Sequence, residues 1–356
     1  MEDSNFTAFI NFNTTLSPYH AFVIPYLKEF LLATRTLVPF WVVIISFGLM
    51  ANVTNIAVFL KAGAKDNVTI LLLSLAVSDL IFLVLITPSM CNYAIYSVDS
   101  SYKFPFHHEI LGFLFYWPAF VAYDLSTYIS VSLGVMRCAC VAMPLKFKSV
   151  FTKSRTMKWV MFLVVLSVSL RIPVLTINRL TWRLDPTKNT SVMFLARVNR
   201  DSMSRINDLI NRGFVIYVNY ITMVTCVSIL TFKLYQAGKI RRSYTNQSQP
   251  QSSEKSTTKP DDQGLSSKDL QVVRSVVLVC TIFILSQLTF LVQSTARLIQ
   301  PEFDSDKGLQ FLFGTISQVS LTCCYLNASI NIFVYYNYNS KYRSVFRSLL
   351  CAKDKH

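Results

Sequence analysis

Histidine, acidic side chains and charge of either sign are scarce in this chain of 356 residues. The four histidines, His20, His107, His108 and His356, are scattered over loop and tail positions, which argues against an imidazole metal site. No HExxH, serine elbow, phosphate-cradling glycine loop or zinc-ligand spacing occurs, so the familiar catalytic frameworks have nothing to stand on and no enzyme is expected. No internal repeat is found. Charged residues make up only 15% and hydrophobic residues 52%, with a mean hydropathy of +0.41; a soluble domain of this length rarely has that balance. The opening residues, MEDSNFTAFI, lack the basic start and clean apolar core of a secretory signal, so the first span is expected to serve as the insertion signal.

What is abundant is apolar sequence in long runs. The central one extends from Gly112 to Lys148 and is long enough to cross a bilayer with tilt, yet it carries Asp124 inside and Arg137 at its basic end. Ser126, Ser130, Leu133 and Arg137 fall at i, i+4, i+7 and i+11, one helix face. A polar stripe ending in arginine must face other helices rather than lipid. Seven such runs are expected to span, near 37–60, 68–91, 110–141, 157–178, 213–236, 272–298 and 309–336. The expected fold is an all-α membrane protein, a seven-transmembrane helix bundle over 37–336. Residues 1–36 form an outer N-terminal segment, whose semi-apolar part from Phe22 to Leu32 either lengthens the first helix or lies on the outer surface.

Placing the N-terminus outside puts more Lys and Arg on the inner segments than on the outer ones, as the positive-inside rule requires, although the outer stretch 179–212 is itself basic. The sequons at Asn5, Asn13 and Asn189 all fall outside under that choice. The expected location is the plasma membrane, multi-pass. The net charge of +15 is accounted for by cytoplasmic loops facing an anionic inner leaflet, with membrane lipid rather than nucleic acid as the partner.

Within the spans, polar residues recur where lipid would penalise them. Asn52 and Asn55 share one side of the first span, Asp79 sits near the middle of the second, and Asn327 and Asn331 lie four apart in the last, with Tyr335 continuing that face. These positions can form a structural hydrogen-bond hub or a cation or proton site that changes between conformations. LAVSD in the second span, an arginine ending the third, PL seven residues later and N-I-F-V-Y closing the seventh resemble the rhodopsin-like (class A) G-protein-coupled receptors over about 37–350. The motifs GLMANVTNIAVF and RCACVAMPLKF are similar to those of divergent molluscan chemosensory receptors. The resemblance implies that Asn52, Asp79, Ser126, Asn327 and Asn331 form the polar cluster where such receptors bind sodium, with Asp79 and Ser126 as the ion's ligands. It further implies that Arg137 swings toward a heterotrimeric G protein, that Leu145 docks into that protein, and that Tyr335 moves inward on activation. An extracellular ligand, a G protein, arrestin and a kinase are the implied partners.

Departures from the family pattern are specific. Met136 stands where an acid usually precedes the arginine, and Cys138 where a tyrosine is common. Gln287 and Thr289 replace the tryptophan and proline of the sixth span, and Ile332 replaces the proline of the seventh. Gly112 takes the place of the usual third-span cysteine and 179–212 contains no cysteine, so the customary outer disulfide cannot form. That loop is left less constrained, or held by its own helix from roughly Asp201 to Arg212.

For the ligand, Ala119 occupies the position where amine receptors carry an aspartate, and the seventh span has no lysine for a retinal Schiff base. Arg171, Arg179, Arg183, Lys188 and Arg297 ring the outer ends, either as a solvated basic rim or as a site for an acidic small molecule or peptide carboxylate. Asp124 can hold a ligand cation or an intra-bundle hydrogen bond. Residues 237–268 are rich in Ser, Gln, Lys and Pro and are expected to be a disordered cytoplasmic loop whose basic ends continue the flanking helices. In the 337–356 tail, Tyr342, Val345, Phe346, Leu349 and Leu350 mark one face of a short amphipathic interfacial helix, with Cys351 placed for palmitoylation. The competing expectation is an ion-conducting or transporting seven-span protein, which would want paired intramembrane charges and a repeat between halves.

Overall fold

The computed structural model describes residues 26–63, 66–98, 109–142, 151–185, 190–197, 206–247, 267–304 and 307–350. Six long helices, α1 (Leu27–Ala62), α2 (Asn67–Val98), α3 (Trp117–Ala142), α4 (Lys153–Ile177), α5 (Ile216–Gln247) and α6 (Ser267–Ile299), are each apolar and long enough to cross a bilayer. The chain then runs through α7 (Gln310–Ser329), α8 (Asn331–Tyr338) and α9 (Ser340–Leu350). A helical turn at Glu109–Leu111 and a π-helical stretch at Gly112–Tyr116 lead into α3, and a second π-helical stretch at Asp208–Val215 leads into α5.

The expected seventh span is α7 and α8 together, interrupted at Ile330. It is less apolar than the other six because Gln318, Ser320, Thr322, Asn327, Ser329 and Asn331 are all buried along it. These side chains face protein, not lipid, so hydropathy alone understates this segment. The interruption occurs without a proline; Phe333 N–H turns back to the Ile330 carbonyl in a tighter, three-residue bond. The sixth helix, by contrast, continues unbroken through Gln287 and Thr289, and α2 runs on past Pro88.

Helix α3 is the hub, packed against α2, α4, α5 and α6, while α7 closes the ring between α6 and α1. Burial follows that arrangement: two thirds of the apolar window of α3 is buried (67%), against 17% for α4, whose outward side chains such as Met161, Phe162 and Val165 form a lipid-facing stripe. The core divides into two apolar clusters. One, around Trp41, Phe82, Tyr123 and Tyr325, fills one half of the bundle; the other, around Phe59, Ile129, Leu133, Phe283, Tyr335 and Tyr342, fills the other. Gly48 makes the close approach of α1, α2 and α7 possible, since a Cβ there would sit 2.1 Å from Ser329 Oγ and 2.7 Å from Leu83 Cδ1.

Helix α1 begins at Leu27, so the described part of the semi-apolar piece lengthens the first helix, one of its two expected arrangements. Helices α5 and α6 reach Gln247 and Ser267, so the ends of the 237–268 stretch continue the flanking helices, the first end over eleven positions; residues 248–266 lie outside the described residues. The 179–212 stretch carries an antiparallel hairpin, β1 (Asn178–Asp185) with β2 (Thr190–Arg197), and the described part of the helix expected from roughly Asp201 to Arg212 is helical from Ile206 on. The alternation Leu180, Trp182, Leu184 against Arg179, Thr181, Arg183 carries that strand signal, which the search for helical spacing overlooked.

Candidate functional site

The polar residues of the spans meet at Asp79. Its carboxylate is buried on α2 and accepts a hydrogen bond from Ser126 Oγ of α3 at 2.6 Å and from Asn331 Nδ2 of α8 at 3.0 Å. Three helices therefore converge on one carboxylate, and Asn331 reaches it from the first residue after the interruption at Ile330. Asn52 flanks this group and serves a different partner: Nδ2 donates to the carbonyls of Ala328 (2.7 Å) and Gly48 (3.0 Å), tying α1 to the end of α7. Its buried Oδ1 has no partner. Asn327 is buried on α7 but makes no hydrogen bond to the carboxylate. Of the five expected cluster members, Asp79, Ser126 and Asn331 thus form the bonded core.

Hard oxygen donors are what a small monovalent cation needs. The Asp79 carboxylate, the Ser126 hydroxyl and the orphaned Asn52 Oδ1 are of that type, so the residues fit such an ion chemically.

Beside this core lies a buried, close-packed aromatic cluster. Phe82, Phe120, Tyr123 and Tyr325 pack at centroid separations of 5.1–6.1 Å, with Tyr116 and Phe290 extending the group. Gln287 joins it from α6: Nε2 donates to the Tyr123 hydroxyl at 3.0 Å and to Thr127 Oγ1 at 3.3 Å. A polar amide thus couples α6 to α3 at the position where the family resemblance expects tryptophan. Ala119 is fully buried.

Two of the expected rim cations, Arg171 and Arg297, are opposed by carboxylates. Arg171 of α4 forms a two-pronged ion pair with Asp124 of α3, at 2.5 Å and 2.8 Å, and lies over the Phe120 ring at 5.8 Å. Two expected ligand contacts therefore satisfy one another, so that Asp124 makes the intra-bundle bond, one of the two roles open to it. Arg297 of α6 is likewise paired, with Asp304, and lies over Phe313. It borders a cavity of about 180 Å³ lined also by Ser294, Phe303 and Lys307. Arg179 and Arg183 occupy alternate positions of β1, and Lys188 lies outside the described residues.

At the opposite end, Arg137 is half-buried on the last turns of α3, preceded by the buried Met136. Tyr335 of α8 is buried with its ring 5.3 Å from Phe59 and 5.7 Å from Tyr342. Helix α9 is locked to α1 by the Tyr342 hydroxyl, which donates to Asn55 Oδ1 at 2.7 Å. Sequence reasoning had Asn55 on an inward face and Tyr342 on the apolar side of α9 but no reason to pair them; they are 287 residues apart. Leu145, Cys351 and the sequons at Asn5, Asn13 and Asn189 lie outside the described residues.

No curated protein matches the chain. The family described as "7 transmembrane receptor (rhodopsin family)", whose members are receptors and not enzymes, matches residues 51–335, well over half of the sequence. With that match covering the helices that build the Asp79 junction, the chain belongs to the rhodopsin family of seven-transmembrane receptors, multi-pass membrane proteins of G-protein signalling.

Proposed function

We propose that this receptor sits in the plasma membrane with its N-terminus outside, crosses it seven times with α7 and α8 as one interrupted span, and lays α9 along the inner leaflet. An extracellular small molecule or peptide binds at the outer ends of the helices, above the aromatic cluster and Gln287, and biases the bundle toward one of two packings. A heterotrimeric G protein prefers the same packing and meets it at Arg137, Leu145 and Tyr335. The coupling is a difference in affinity between two states, shared by both partners.

The observation that carries this reading is the junction at Asp79. Among the described residues, this buried carboxylate is where α2, α3 and α8 converge, through hydrogen bonds of 2.6 Å and 3.0 Å. A buried, hydrogen-bonded charge is costly to leave unpaired, so helices that share it must rearrange together. A sodium ion held by Asp79 and Ser126 would favour one of the packings. An acidic group on a ligand would bind at Arg297 by displacing Asp304, with the nearby Lys307 adding charge. Arrestin and a kinase would act on the cytoplasmic loop and tail, and the outer sequons would carry glycans.

The test is a promiscuous G-protein reporter in transfected cells, screened with acidic metabolites, amino acids and short peptides. Asp79→Asn and Arg137→Ala should each abolish or strongly shift the response to any active compound at matched surface abundance. A full response in both variants would discard the proposal. Ion flux in cells lacking G proteins would favour the transporting alternative.

A further inference from the structure

Three cysteines and a methionine from three different helices meet near the Arg137 end of the bundle. Cys138 of α3 is half-buried, and its thiol donates to the carbonyl of Cys226 on α5 at 3.2 Å. Cys226 is itself buried on α5. One turn before Cys138, Gly134 presents a bare helix surface. A Cβ there would lie 3.2 Å from Met223 Sδ, 3.5 Å from Cys280 Sγ and 3.6 Å from Cys226 Cβ. The absence of a side chain at 134 is what lets α5 and α6 bring sulfur this close to α3.

A buried cysteine is usually just a small apolar residue, and Cys280, fully buried on α6, fits that account. Cys138 does not: it is half-buried, it adjoins Arg137, and it stands four residues from the end of α3. Side chains on the inner side of a membrane protein meet a reducing cytosol, so the resting form of the pair is the dithiol. Dithiols so placed respond to oxidant transiently.

We propose that Cys138 and Cys226 form a disulfide on exposure to peroxide, a modification site that staples α3 to α5 beside Arg137. In the first step the Cys138 sulfur attacks one peroxide oxygen, breaking the O–O bond to give a sulfenic acid and one water. In the second, the Cys226 sulfur attacks the sulfenic sulfur, forming the S–S bond and releasing a second water. Two thiols are oxidised by two electrons in all, and one hydrogen peroxide is reduced to two waters. The consequence for signalling rests on the proposed function: with α3 tied to α5, the helix carrying Arg137 cannot change its packing, and G-protein coupling falls.

The experiment uses the full-length receptor in cell membranes treated with hydrogen peroxide, then alkylated, digested and analysed by mass spectrometry. The expected result is a cross-linked peptide pair containing Cys138 and Cys226, lost on dithiothreitol treatment, absent in Cys138→Ser and Cys226→Ser, and retained in Cys280→Ser. Ligand-free or ligand-evoked coupling should fall on peroxide treatment in the parent and resist it in Cys138→Ser. Peroxide doses that oxidise the exposed Cys91 without producing the pair would overturn the proposal, as would a link from Cys138 to Cys280 instead. A pair formed in full with coupling unchanged would uphold the disulfide and count against helix rearrangement as the proposed mechanism of signalling, so the two failures are distinguishable.

Discussion

The ion pair between Asp124 and Arg171 is a costly polar contact to break. Both side chains are mostly removed from solvent, at 15% and 13% exposure, and joined by two bonds. An exposed pair would contribute about 0–1 kcal/mol. At this burial the relevant quantity is the cost of stranding one partner, roughly 3–5 kcal/mol, because the survivor keeps its charge without a counter-ion. Asp124→Asn should therefore lower the midpoint of thermal inactivation by about 6–20 °C if each kcal/mol moves it by about 2–4 °C. Arg171→Met should be milder, since the stranded carboxylate can take up a proton while a guanidinium cannot give one up. The double variant Asp124→Leu/Arg171→Met removes both charges and should recover most of the loss, as replacing a buried pair by apolar groups is often neutral. The assay is fluorescence-detected size-exclusion chromatography of detergent-solubilised receptor after graded heating, with cell-surface abundance as a second reading. If the two single variants each shift the midpoint by only a degree or two and their effects simply add, the pair is screened and the argument fails.

Further outcomes follow from other contacts. Tyr342→Phe removes the donor to Asn55 and should cost about 1 kcal/mol, with Asn55→Val in the same chain recovering it; a double-mutant cycle on thermal midpoint checks the coupling, and zero interaction energy would show that α9 is held by ring packing alone. Gly48→Ala places a methyl 2.1 Å from Ser329 Oγ and should cost about 1–3 kcal/mol, seen as reduced surface abundance; normal abundance would mean α1 shifts at no cost. Met136→Glu sets an acid beside Arg137 and should lower ligand-free signalling relative to a Met136→Leu packing control; an unchanged baseline would show that an acid at this position does not restrain Arg137. Gln287→Leu should weaken coupling more than stability, because it deletes the α6–α3 bonds to Tyr123 and Thr127 but keeps the volume; equal loss of both would make it a purely structural residue.

Long apolar runs, the basic bias of inner segments and the helical spacing of Ser126, Ser130, Leu133 and Arg137 were legible because each depends on one span at a time: hydrocarbon thickness, leaflet charge and the 3.6-residue turn act locally. The inward placement of Asn52, Asp79 and Asn331 followed from the same reasoning, since lipid penalises a polar group wherever its partners are. Which partners those would be did not follow. Asp124 and Arg171 were each legible as isolated charges near an outer rim, and their pairing arises because α3 and α4 pack side by side. The same holds for Asn52 turning to the Ala328 carbonyl rather than to Asp79, for Tyr342 meeting Asn55, and for the sulfur group around Gly134. Chain order places these residues tens to hundreds of positions apart, and only the order in which seven spans close their ring decides which faces touch. Membrane insertion is dictated by what each segment is. The identity of the contacts that hold and switch the bundle is dictated by what each segment lies against.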